Sequence, residues 1–331
     1  MNTISVPGIG IEPFTVDPVA FTIPIGEGID IMWYAILVSL GFLVAFLHVC
    51  YRSRLEGFII DDLLDYMIFV MIFGVLGARL YYVVMEPDRF KNFLEILNLR
   101  TGGLGIYGGI IGGILAIIGV SIVKKKNVWQ VLDMAGPGLM IAQALGRWGN
   151  FFNGEAYGYQ VPEDSPLYFI RMGLLPNMDS TTTMYYYHPT FLYESMWNVL
   201  GFILITLTYK KKKFNGQIAW SYIAWYGLGR MFIEGLRTDS LYLFGTSIRT
   251  SQAVAFLSFL LAVGMLIFHF VRSTRAKKEG LPYQPVFSCG STLRTENEEK
   301  PTKETENASE STMDDEPKNE NNASETTEQG E

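Results

Sequence analysis

Cysteine and histidine are scarce in this chain. Two cysteines, Cys50 and Cys289, stand far apart in 331 residues, so there is no disulfide framework and no CxxC metal signature. Three histidines, His48, His188 and His269, are scattered without metal-ligand spacing. No metal or other cofactor is expected. Positive charge is missing from the first 28 residues, which also lack a long apolar run. That pattern excludes a cleavable signal peptide and leaves export to the first membrane segment. Charged residues make up only 18% of the chain against 49% hydrophobic.

That average conceals a division. Ser291 to Glu331 carries thirteen acidic and four basic residues, while the whole chain has a net charge of −7. The remainder is therefore close to neutral, and the tail alone produces the acidic balance. Rich in Asn, Ser and Thr and poor in large apolar groups, the tail cannot bury enough surface to fold and is expected to be disordered. A nucleic-acid partner is not expected.

What the body does have is long apolar runs, and a spanning helix needs ~20 such residues. Ile31–Cys50, Tyr66–Met85, Thr101–Val123, Val128–Gly146, His188–Tyr209, Phe214–Leu236 and Thr250–Val271 meet the requirement. Basic clusters at Arg52 and Arg54, Lys124 to Lys126, Lys210 to Lys213, and Arg272 with Arg275, Lys277 and Lys278 fall in alternate connections. By the positive-inside rule the N-terminus is outside and the C-terminus cytoplasmic. The expected fold is thus an all-α integral membrane protein of seven transmembrane helices. Residues 1–28 form an outer arm, 29–272 the membrane domain with a small outer head at 150–187, and 273–331 a cytoplasmic tail. Gly105, Gly109 and Gly113, like Gly108 and Gly112, recur every fourth residue, a spacing that lets helix backbones approach closely in lipid.

Depth follows from a rise of ~1.5 Å per residue. Tyr34, Arg79, Tyr107, Arg147 and the row Tyr226, Arg230, Glu234 all fall toward the outer ends of their segments. The inner halves offer nothing comparable. Tyr226, Arg230 and Glu234 lie four apart on one helical face. An Arg preceding a Glu is the less favourable order on a helix, and an acid near a helix C-terminus opposes the macrodipole, so local helix stability does not account for the pair.

A lone arginine at a helix end is explained by snorkelling. Arg147, however, is followed by Asn150, Asn153 and Glu155, with Gly146, Gly149, Gly154 and Gly158 between, more than an anchor requires. Planar guanidinium groups suit a phosphate diester, and Arg147 with Arg230 could clamp one. Arg79 fits either a third clamp or a packing anchor. His188-Pro189 marks a helix start, and Glu194, at lipid depth, is expected to partner an arginine. Two rival classes also use buried charge. A secondary transporter would place its site near the midplane, often between repeat halves, and no internal repeat is found; a non-catalytic lipid-binding scaffold could use the same arginines.

The run Gly-Arg-Trp-Gly-Asn-Phe-Phe-Asn-Gly-Glu-Ala-Tyr-Gly at 146–158 closely resembles the signature of the prolipoprotein diacylglyceryl transferases. The likeness extends to Gly102 through Gly113, to His188-Pro189-Thr190 with Tyr193-Glu194, and to Tyr226, Arg230 and Glu234, covering roughly residues 25 to 272. It implies seven transmembrane helices in the bacterial cytoplasmic membrane. It also implies transfer of diacylglyceryl from phosphatidylglycerol to the lipobox cysteine of prolipoprotein signal peptides. By resemblance, Arg147 matches the phosphatidylglycerol-binding arginine, and Arg230, Glu234, Tyr226, Asn150, Glu155, Gly158 and Tyr34 match other important positions. Tyr107 stands where the family commonly has histidine. A phenol titrates near ~10 and an imidazole near ~6.5, so positioning of lipid is the expected role of Tyr107, and Glu155 or Glu234 are the candidate proton acceptors.

Overall fold

The computed structural model describes residues 2–26, 28–90, 92–99, 102–175, 184–238, 249–281 and 283. The acidic tail lies outside the described residues. Eight α-helices are present among them: α1 (Trp33–Glu56), α2 (Ile60–Met85), the short α3 (Phe93–Leu97), α4 (Ile106–Val123), α5 (Val128–Asn153), α6 (Thr190–Thr208), α7 (Gln217–Glu234) and α8 (Thr250–Lys278). Five of them (α1, α2, α4, α6 and α8) are long and apolar enough to cross a membrane. The other two long helices, α5 and α7, are the polar-bearing ones at 26 and 18 residues. Their lower hydropathy follows from the side chains that build the site.

α5 is central, packing against α1, α6 and α7, while α2 pairs with α4 and α7 with α8. Glycine sets the closeness of the α2–α4 pair. A Cβ on Gly108 would overlap the carbonyl of Gly77, and one on Gly112 the carbonyl of Phe73, whereas Gly109 and Gly113 have ordinary room. Both glycine rows face α2, but the helix backbones meet most closely at Gly108 and Gly112. The Gly-Pro-Gly at 136–138 stays inside an unbroken α5.

The all-α expectation fails at the head. Six strands are present among the described residues: β1 (Asn2–Val6), β2 (Ile11–Val16), β3 (Val19–Ile23), β4 (Ile29–Met32), β5 (Met172–Leu175) and β6 (Tyr185–Tyr187). β3 and β4 form a separate hairpin; the others form an antiparallel sheet in the order β2-β1-β5-β6, with Thr3 opposite Leu175 and Met172 opposite Tyr187. The N-terminal arm thus pairs with the segment leading into α6. Ile4, Val16, Met172 and Leu174 bury one face of this sheet against Phe191 of α6 and Phe151 and Phe152 of α5. The sheet caps the helix ends that carry the signature run. α5 itself extends through Asn153, so Arg147, Asn150 and Asn153 are helical and the head begins at Gly154, whose φ of 66° ends the helix in a left-handed turn.

The inner ends are also more polar than expected. Glu56 accepts from Lys212 Nζ (2.6 Å) and Tyr209 Oη (3.0 Å), and Lys212 reaches Asp133 Oδ2 at 3.1 Å. Asp133 also accepts from the backbone N–H of Gly216 and Ala219, 2.8 and 2.9 Å away. It thereby satisfies donors at the start of α7. These side chains form a polar ring that locks α1, α5 and α7 together.

Candidate active site

Two interhelical locks fix the site's frame. Trp197 and Trp225 stack with centroids 4.4 Å apart, and each indole N–H donates to the other's backbone carbonyl at 2.9 Å. This reciprocal pair holds α6 to α7. Trp148 Nε1 donates to Ser195 Oγ at 3.2 Å, and Ser195 donates to the Ala144 carbonyl at 3.2 Å, holding α5 to α6. Glu194 lies on the head side of both locks, one residue before Ser195 and about one turn before Trp197 on α6.

Glu194 is the centre of the arrangement. Its Oε2 lies 2.7 Å from Arg147 Nη2 on α5, and its Oε1 lies 2.8 Å from Arg230 Nη1 on α7 and 3.4 Å from Arg237 Nη1 just past it. Arg230 Nη2 also pairs with Glu234 Oε2 at 2.6 Å, as the four-residue spacing allows. Glu194 and Glu234 are 4% and 2% exposed, whereas Arg147 and Arg230 keep 22% and 15% of their side-chain surface. Each guanidinium has five donors, so the carboxylates fix the arginines from below and leave outward edges available. Among the described residues, the guanidinium groups of Arg147, Arg230 and Arg237 meet the carboxylates of Glu194 and Glu234.

The network continues into the signature run. Arg147 Nη1 donates to Asn150 Oδ1 at 3.3 Å, and the amides of Asn150 and Asn153 both donate to Glu155 Oε1 at 3.0 Å. Glu155 is exposed and faces the opening of the cluster through Asn150. Tyr34 of α1 packs on Gly149, where a Cβ would lie 2.6 Å from the Tyr34 ring. Tyr226 stacks on Tyr222, whose hydroxyl accepts from Gln143 of α5 at 3.0 Å. Facing rows Gln143-Arg147-Asn150 and Tyr222-Tyr226-Arg230 therefore line the seam between α5 and α7.

Gly158 lacks a side chain because there is no space for one: a Cβ would stand 2.7 Å from His188 Cβ and 2.8 Å from the Leu236 carbonyl. Its N–H donates to the His188 carbonyl, and Tyr159 N–H donates to the Leu236 carbonyl, at 2.9 and 2.8 Å. This splice joins the start of α6 to the end of α7. His188 is buried, which holds its imidazole below the ordinary histidine range, and its Nδ1 lies 3.2 Å from Tyr193 Oη. Arg249 closes the rim, donating to the Glu234 carbonyl and, at 3.0 Å, to Tyr159 Oη.

Two candidate residues lie elsewhere. Arg79 donates to five backbone carbonyls, those of Ile96, Gly102, Gly103, Glu95 and Asn98, between 2.5 and 3.0 Å. All five donors are spent on the loop between α2 and α4, so the packing anchor prevails over the phosphate clamp. Tyr107 contacts Tyr81, ring centroids 6.1 Å apart, on the α2–α4 pair; among the described residues no contact joins it to the arginine cluster. Arg237 and Arg249 escaped sequence reasoning. Arg237 extends the row 226, 230, 234 by one further turn, a signal hidden by the glycine that ends the helix; Arg249 carries none.

Fold and site together define a helical membrane protein with a cluster of ion-paired arginines and carboxylates set into its seam of polar helices. Residues 18–268 match the model of the family described as prolipoprotein diacylglyceryl transferase. The chain is 40% identical over 257 residues to the phosphatidylglycerol–prolipoprotein diacylglyceryl transferase of Clostridium kluyveri, covering 76% of this chain and 96% of that one. It is 40% identical over 266 residues to the enzyme of the same name from Listeria monocytogenes serovar 1/2a, with 79% and 92% covered. The Clostridium botulinum (strain Loch Maree) enzyme is 38% identical over 263 residues, with 78% and 99% covered. The chain belongs to the prolipoprotein diacylglyceryl transferase family.

Proposed function

We propose that this chain transfers the diacylglyceryl group of phosphatidylglycerol to the lipobox cysteine of a prolipoprotein signal peptide. The observation that carries the reading is the junction of Arg147 and Arg230, with Arg237 beside them, at Glu194; of these, Arg147, Arg230 and Glu194 belong to the stretches that resemble the family. In the reaction the substrate thiolate forms a carbon–sulfur bond at the glycerol carbon as the carbon–oxygen bond to phosphate breaks, and glycerol phosphate leaves. The chain supplies no nucleophile. Its task is to place the sulfur in line and to stabilise charge on the departing phosphate.

Arg147 and Arg230 take the phosphate, with Glu234 and Asn150 holding them in place. Glu155, the exposed carboxylate joined to Arg147 through Asn150, is the better placed acceptor for the thiol proton, because Glu234 is enclosed and paired to Arg230. Tyr34 and Tyr226 line the lipid entrance, Gly158 shapes the cluster's wall, and Tyr107 contacts lipid on the neighbouring helix pair.

The bacterial cytoplasmic membrane is the proposed location, with all seven long helices crossing it, the head outside and the basic connections inside. Two features support this. α5 and α7 pack among the five apolar helices, and the lysine-rich connections lie at the end away from the sheet. The residues 1–28, 29–272 and 273–331 remain the proposed functional divisions. Incubating purified protein with phosphatidylglycerol and a lipobox peptide tests the reading by mass spectrometry. A peptide mass raised by one diacylglyceryl group is expected; an unmodified peptide under conditions that keep the lipid bound would leave a binding scaffold in its place.

A further inference from the structure

Arg52, near the end of α1, is 4% exposed yet faces no carboxylate within ion-pair distance among the described residues. Its one hydrogen bond there runs from Nε to His48 Nε2, at 3.3 Å. The guanidinium lies over the Tyr209 ring at 4.5 Å and the Tyr51 ring at 5.3 Å. Glu56, one turn away on the same helix, is the obvious partner, but it is turned to Lys212, Tyr209 and Gln130. Burying a cation without an anion is costly, and aromatic faces offset only part of that cost. The terminal nitrogens of Arg52 have capacity for a planar, bidentate anion.

The surroundings say which anion. Arg54 lies two residues further along α1, and Lys210 to Lys213 directly follow Tyr209 in the chain; Lys212 is committed to Glu56 and Asp133, and Lys213 Nζ lies over the Phe270 ring at 3.9 Å. Tyr51, beside it, is 60% exposed on the apolar outer face of α1, near Leu47 and Leu55. Eighteen residues separate Arg52 from Tyr34, about 27 Å along the helix, close to the ~30 Å of a bilayer's hydrocarbon core. Arg52 is therefore one leaflet removed from the arginine cluster. We propose that it binds the phosphate of an anionic phospholipid in the leaflet opposite that cluster, with the acyl chains along α1 and the α6 end. The site is independent of the transferase reading and holds whether or not that reading does.

The test uses the full chain in neutral detergent, titrated with phosphatidic acid, phosphatidylcholine or inorganic phosphate, with retained lipid counted by native mass spectrometry. Phosphatidic acid is expected to be retained by the parent chain, and Arg52→Gln to need at least tenfold more lipid for half occupancy. Phosphatidylcholine should not be retained at the same concentrations. Equal retention by Arg52→Gln would overturn the site. Displacement of phosphatidic acid by equimolar inorganic phosphate would overturn the lipid assignment in favour of a small anion. Should Arg52→Gln fail to fold, a phosphatidic acid with a photoreactive headgroup on the parent chain decides: labelling within 48–56 or 209–213 supports the site, and labelling confined to other segments refutes it.

Discussion

Arg147 and Arg230 are held at the two oxygens of a single carboxylate, 2.7 Å from Glu194 Oε2 and 2.8 Å from Glu194 Oε1. They come from different helices, and neither is oriented by its own helix alone. A phosphate that meets both must therefore meet a pair whose spacing Glu194 sets, with Trp197–Trp225 and Trp148–Ser195 fixing the helices behind it.

Glu194 and Arg147 should consequently fail in different ways. Glu194→Gln leaves three guanidinium groups without their shared anion, and removing one partner of a buried ion pair costs ~3–5 kcal/mol. Arg147→Ala leaves Glu194 still paired to Arg230 and Arg237, so the fold survives. Expected is a large fall in thermal midpoint for Glu194→Gln and a small one for Arg147→Ala. Arg147→Ala should still lose at least ~10²-fold in kcat, the usual cost of removing one charge-stabilising donor. Thermal unfolding in detergent, run beside peptide labelling, checks both; a well-folded, inactive Glu194→Gln would show that the carboxylate acts in chemistry and not in placement.

Arg79 tests the opposite assignment. Its five hydrogen bonds to the loop at 95–103 predict that Arg79→Met loosens that loop. Bonds to a charged donor contribute ~1.5–3 kcal/mol each at most, and a net loss on the order of 3 kcal/mol is expected. Limited proteolysis should cut between α2 and α4, while transfer per folded molecule stays within about threefold. A collapse of kcat with the loop still protected would return Arg79 to the phosphate.

The helices were legible in the sequence because each long one falls in an apolar run of sufficient length. Counting along those runs also singled out Arg147, Arg230 and Glu234, which the structure joins in one ion-paired cluster. The sheet was not legible. β1 pairs with β5 across some 170 positions, and strands of three to six residues leave little periodic signal, although the Val, Ile and Thr of the arm with Pro7-Gly8 between strands were strand-like in composition. Which charges pair was hidden for a related reason. Depth along a helix is a matter of counting, but the meeting of Glu194 with three arginines depends on how α5, α6 and α7 are rotated. The same blindness left Lys212 looking like a connection charge and gave no sign that it meets Glu56 and Asp133.

Tyr107 lies on the α2–α4 pair beside Tyr81, apart from the arginine cluster. If the ring positions lipid, Tyr107→Phe keeps transfer within about threefold, and Tyr107→Ala raises KM for phosphatidylglycerol more than it lowers kcat. A general base contributes ~10²–10⁴-fold, so a loss of that size in Tyr107→Phe would restore the phenol to the proton-transfer step.

His188 gives the fold a pH dependence whose sign is fixed. Burial lowers its pKa below the ~6.5 of an exposed histidine, so under mild acid the unfolded chain binds a proton that the folded chain does not. Stability then rises with pH through this window. The contribution is complete above pH ~6.5 and is lost as pH falls from there toward the lowered folded value. Because the His188 carbonyl accepts from Gly158 and its ring meets Tyr193, protonation strains the splice between the start of α6 and the end of α7. The expected result is a thermal midpoint that drops below pH ~6.5 more steeply for the parent chain than for His188→Asn, which retains a hydrogen-bonding group but cannot take the charge. Parallel pH profiles for the two proteins would mean that the folded and unfolded chains bind the His188 proton equally well, and the burial argument would fail.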